Sequence, residues 1–176
     1  QLGVLPFFET IRRQIERENL SAKVSVVCGS LVVVPSIARE YLRQSLKEAQ
    51  VEFYPIGQLD ESEYVEVRVS RRQSLLVAAV TEIFDQGIIQ VLIGTKSLLG
   101  EGWDAPSVNS LILASFVGSF MLSNQMRGRA IRTWIKNPEK TSNIWHLASI
   151  NPYKINNPFK QESQDIQIDL GENSRD

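Results

Sequence analysis

The sequence predicts an α/β domain with a mostly parallel central sheet flanked by helices on both faces. Three observations point there. Residues 88–94, 111–114 and 144–148 are short runs that are apolar almost throughout, as strands covered on both faces are. Strand-like and helix-like segments alternate through the second half of the chain. The 176 residues are 43% apolar and 22% charged, enough for one buried core and too apolar for a disordered segment.

The elements follow in order. Phe7, Phe8, Ile11 and Ile15 recur at helical spacing among Arg12, Arg13, Glu16 and Arg17, which predicts an amphipathic helix over 6–18. Residues 24–34 are β-branched and interrupted by Cys28-Gly29-Ser30, giving one broken strand or two short ones. Pro35-Ser36 ends that strand, and Ser36 is suited to cap a helix over about 37–49 that carries Ile37, Tyr41, Leu42 and Leu46. Residues 51–54 and 64–69 read as strands on either side of a polar loop. Leu76, Val80, Ile83 and Phe84 fall on one side of a helix over 72–86. The domain is placed at 1–150. Residues 151–176 turn polar and rich in Pro and Asn, and read as an extension or linker with a short strand at 166–170.

Bulk properties exclude several classes. A net charge of -1 gives no whole-molecule attraction to a polyanion, so such contact needs a local patch. One Cys, Cys28, and one His, His146, rule out an internal disulfide and disfavour a Cys/His zinc site. The lone Cys fits a reducing compartment, and a cytoplasmic location is expected. No apolar run reaches the roughly 18 residues of a membrane span, and the first residues lack the charged flank of a signal peptide. The opening without Met suggests a piece of a longer protein.

Two stretches carry candidate chemistry. The first, 94-GTKSLLGEGWDAP-106, begins at the end of a predicted strand, the edge where open α/β sheets bind ligands. It is not a phosphate loop, because Thr95 rather than Gly precedes Lys96. Gly100 and Gly102 permit backbone conformations closed to other residues, and Asp104 can accept hydrogen bonds from hydroxyls or amides, or cap a turn. The second stretch is 125-QMRGRAIR-132. On an ideal helix Gln125, Arg129 and Arg132 fall within roughly 60° of one another, and Met126, Ala130 and Ile131 lie on the other side, able to pack on the sheet. Gly128 costs about 1 kcal/mol against Ala inside a helix, and its use would be the close approach of another surface. The same pattern also fits a solvated basic helix with surface ion pairs.

Together these pieces resemble a known family. Phe84-x-x-Gly87 followed by 91-VLIGTKSLLGEGWDAP-106 resembles the segment ending in motif V of superfamily 2 helicases. The string 125-QMRGRAIR-132 resembles their motif VI, Q-x-x-G-R-x-x-R. The resemblance covers about 72–149, is nearest the restriction-enzyme and DEAD/DEAH-like branches, and implies a C-terminal RecA-like lobe. Residues 1–70 are divergent, without a recognisable motif IV.

The resemblance implies that ATP and Mg2+ are held mainly by an N-terminal lobe with the Walker motifs, and that this chain alone is inactive in hydrolysis. Arg129 and Arg132 would be arginine fingers, and Gln125 would orient a phosphate or the attacking water. Gly102 and Asp104 would touch the nucleotide. Thr95 and Lys96 would contact the backbone of DNA or RNA. The implied partners are that nucleic acid and the N-terminal lobe, with no membrane. Two other readings stay open: the motor part of a restriction or phage-defence nuclease complex, and a non-catalytic RecA-like binding module. Trp103 is read as a packed turn aromatic ahead of a stacking platform, and His146 as a core or sheet-end side chain. Arg71 and Arg72 are read as a solvated helix start, and Cys28 as buried packing.

Overall fold

The computed structural model describes residues 3–46, 50–57, 63–70, 73–95, 103–114 and 120–147. The chain divides into two units, Gln1–His146 and Leu147–Asp176. The second, Leu147 apart, lies outside the described residues, as does the strand expected at 166–170.

Helix α1 spans Val4–Arg17. It buries Phe8, with Val4, Phe7, Ile11 and Ile15 partly buried beside it, so the apolar spacing read from the sequence marks the inward face. It stops where Asn19 takes a positive φ of 52° and the Leu20 amide donates back to Ile15 O at 2.9 Å. On its flank Glu9 accepts from Arg12 Nε and Nη2, each at 2.9 Å, and from Arg13 Nε at 2.7 Å. The Arg12 hydrogen bonds lead in holding the Glu9 carboxyl at about 2; partial burial opposes them and Arg13 adds to them. Because the folded value is depressed, this contribution to stability is fully present above the ordinary carboxylate value and is lost as pH falls through about 2. Glu9→Gln is expected to flatten the fall in unfolding free energy across that acid window, measured by urea titrations at stepped pH.

Strands β1 (Val24–Cys28) and β2 (Leu31–Pro35) form an antiparallel hairpin in which Cys28 faces Leu31. The two residues between them, Gly29 and Ser30, make the turn, and Gly29 sits at φ 56°, where glycine is favoured. A 3-10 turn, Ser36–Ala38, leads into α2 (Arg39–Ser45). Strand β3 (Val51–Tyr54) and β4 (Tyr64–Val69) follow, then α3 (Gln73–Asp85) and β5 (Val91–Gly94). The five strands form one sheet in the order β3-β4-β2-β1-β5.

The expected mostly parallel, RecA-like sheet is not what forms. Three of the four neighbouring pairs are antiparallel, and only β1–β5 is parallel. The physical reason is double. The Cys28-Gly29-Ser30 break is a reversal, so β2 runs back along β1. The strands are apolar on both faces because both faces are covered, whatever the strand direction. Val24, Val26, Val33, Tyr64 and Ile93 point to the side of Phe8. Val27, Val32, Val34, Val65 and Val67 point to Leu42, Leu76, Val80 and Ile83 on α2 and α3.

Strands β6 (Ser110–Leu113) and β7 (Asn143–His146) pair in parallel in a separate two-stranded sheet. Their apolar sequence does not reflect two-sided burial: Ile112 is 57% and Trp145 60% exposed, directly opposite one another. The inner residues Leu111 and Ile144 join a small third core with Ala105, Val108 and Ala130. Helix α4 (Phe120–Ala130) ends in that core. Among the described residues, no helix is long and apolar enough to cross a membrane.

Candidate functional site

Gly87 locates the first stretch. It ends α3 at φ 75°, where the Ile88 amide donates to Ile83 O at 3.0 Å and the Gly87 amide to Phe84 O at 2.9 Å. Phe84-x-x-Gly87 is thus a helix stop. It turns the chain into the short β5, which starts at Val91 rather than at 88. Thr95 lies just beyond β5, and Lys96 and Gly102 lie outside the described residues. Where the chain is described again, Trp103 Nε1 donates to Thr81 Oγ1 on α3 at 2.9 Å. Trp103 packs beside Ala105, Val108 and Ala130, so it is a packed turn aromatic. Ser107 Oγ donates to Asp85 and fixes the next turn against the same helix.

The second stretch is only partly helical. Helix α4 ends at Ala130, so Gln125 and Arg129 lie on it while Arg132 lies past its end. The expectation of one helix face bearing all three is corrected on this point. Met126 and Ala130 are buried as expected, but Ile131 is 62% exposed. Gln125 is exposed and Arg129 half-buried. A Cβ added at Gly128 would meet nothing within 4 Å, so among the described residues no surface approaches it closely. Gly128→Ala is expected to raise the chain's own stability by about 1 kcal/mol, read by thermal unfolding.

The two stretches do meet. Arg132 Nη1 donates to Asp104 Oδ1 at 2.5 Å, across 28 residues of sequence. Both side chains remain about half exposed, at 53% and 58%. An ion pair this exposed contributes about 0–1 kcal/mol. Asp104→Asn and Arg132→Ala are therefore each expected to shift the unfolding free energy by less than about 1 kcal/mol in denaturant titrations.

Asp104, Thr95 and Trp103 also line an open cleft of about 940 Å³ against α3. Gln73, Val77, Thr81 and Asp85, four residues apart along α3, form much of its wall, with Glu82 and Lys136 beside them. Among the described residues neither Gln125 nor Arg129 lines it. Among the described residues the lining holds the carboxylates of Glu82, Asp85 and Asp104 against one ammonium, Lys136. Phosphates are repelled from such an acidic wall. Among the described residues no group of three or more His, Cys, Asp or Glu side chains could hold a metal ion.

The α3 wall leaves only a weak signal in the sequence: Gln73, Thr81 and Asp85 recur at multiples of four, roughly a third of a turn from Leu76, Val80 and Ile83. Lys140, which ties this region together, gave no signal, because it looks like a solvated loop charge after Pro138-Glu139. His146 is exposed at the end of β7.

No family model matches this chain, and neither the curated proteins nor the solved structures compared with it give a match.

Proposed function

We propose that this chain is the C-terminal lobe of an ATP-dependent helicase or translocase acting on nucleic acid, inactive in hydrolysis until an N-terminal lobe presents a nucleotide. The observation that carries the reading is the Asp104–Arg132 contact. It brings the strand-end stretch and the arginine-bearing stretch to one exposed rim. In this reading the ion pair is the resting state. A triphosphate on the partner lobe exchanges with Asp104 for the Arg132 guanidinium, and Arg129 adds a second positive charge from the last turn of α4. A fixed guanidinium stabilises the charge that builds on phosphoryl oxygens in the transition state. In this reading Thr95 and Lys96 would contact a phosphate backbone, positioning the polymer without reading its sequence. Mg2+ would be supplied with the nucleotide by the partner lobe.

A second reading has two observations in its favour. Arg132 is neutralised within the chain and the cleft wall is acidic, which suits a binding module without turnover. The test is ATP hydrolysis by the intact protein with single- and double-stranded DNA and RNA. Turnover stimulated by a polymer supports the motor. Turnover indifferent to all four polymers, or none at all, contradicts it.

A further inference from the structure

The ammonium of Lys140 donates to three backbone carbonyls: Pro106 O at 2.7 Å, Val108 O at 2.8 Å and Ala130 O at 3.1 Å. An ammonium has three N–H groups, so backbone fills its whole donor capacity. Two of these carbonyls belong to the turn that follows Asp104. The third closes the helix that leads to Arg132. The last carbonyls of a helix lack intrahelical partners and carry the negative end of its dipole, which favours a cation there. Ser142 Oγ donates to the same Ala130 oxygen at 2.6 Å, and the Asn143 amide donates to Asn109 O at 2.9 Å, so the approach to β7 grips the same turn. Burial pulls the Lys140 pKa below its ordinary value. A side chain that is charged, partly desolvated and fully engaged is a joint, not a solvated surface lysine.

We infer that Lys140 is a positioning residue for the Asp104–Arg132 rim. It locks the turn after Asp104 to the helix end before Arg132, and so sets where the guanidinium can reach. The inference deepens the proposed motor reading and rests on it for its functional consequence. It acts through the backbone of both stretches, and neither sequence motif contains it.

Two readouts separate this inference from the reading beneath it. In this chain, 15N spectra of the arginine side chains report proton exchange at the Arg132 guanidinium. Lys140→Met is expected to keep a dispersed amide spectrum while Arg132 exchange quickens several-fold, and Lys140→Arg is expected to keep it slow. In the intact protein, Lys140→Met is expected to lower the polymer-stimulated kcat by roughly 10–100-fold, as a small misplacement of a reacting group does. The KM for ATP is expected to stay nearly unchanged, with much of the loss recovered in Lys140→Arg. Should Lys140→Met fail to fold, Lys140→Gln, whose shorter, uncharged side chain has two N–H donors for three carbonyls and so cannot complete the lock, gives the same comparison. Arg132 exchange at the wild-type rate in the Met or Gln variant overturns the inference, whatever the hydrolysis shows. Released Arg132 in that variant, with normal hydrolysis in Arg132→Ala, leaves Lys140 as the lock and overturns the motor reading instead.

Discussion

Arg132→Ala in the intact protein is expected to cut nucleic-acid-stimulated ATP hydrolysis by roughly 10³–10⁵-fold, the range an arginine finger is worth. The loss should fall on kcat, because the guanidinium is needed where charge develops and contributes less to ground-state binding. Folding does not confound the result, since the Arg132 guanidinium pairs with Asp104 where both side chains are half exposed. Arg129→Ala is expected to act in the same direction. Steady-state kinetics at saturating polymer, alongside the melting curve of each variant, checks both. Near-normal turnover in the two variants would mean that neither guanidinium meets a phosphate.

Phe8→Ala is expected to destabilise the chain by about 3–5 kcal/mol, the usual cost of emptying a phenylalanine site in a core. Phe8 is 1% exposed and lies edge-on to Tyr64, with ring centroids 5.2 Å apart at 81°. Such a pair adds about 0.5–1.5 kcal/mol beyond area burial. Phe8 also anchors α1 over Val24, Val26, Val33 and Ile93, so the cavity opens between the helix and the middle of the sheet. Denaturant titration measures the effect. A loss below about 1 kcal/mol would show that α1 is not part of the cooperative core. A stability deficit of this size is a large fraction of what a domain has to spare.

Where the sequence spoke through local periodicity, it spoke well. The spacing of Phe8, Ile11 and Ile15 marks the buried side of α1, and Leu76, Val80 and Ile83 mark that of α3. Strand direction was another matter. Val24, Val26 and Val27 are apolar because helices cover both faces of β1, and that pattern is the same for either direction of pairing. The deciding feature was two residues long: Gly29 at φ 56° makes Gly29-Ser30 a reversal rather than an interruption. Ile112 and Trp145 misled in the opposite sense, because an apolar run does not reveal that one side of a two-stranded sheet is left open. At the candidate site, Asp104 and Arg132 were legible as chemistry but not as a pair, since their contact spans 28 residues. At the end of α4 Lys140 and Ser142 capture the Ala130 carbonyl, an arrangement that spacing alone does not encode.

The most direct measurement of the shared rim is a photo-cross-link from the γ-phosphate of an ATP analogue bound to the intact protein, mapped by mass spectrometry. The account predicts labelled peptides from both stretches, around Asp104 and around Arg129–Arg132, with labelling of both abolished by excess ATP. Labelling confined to the α3 wall of the cleft, or absent from this chain while the N-terminal lobe is labelled, would contradict it.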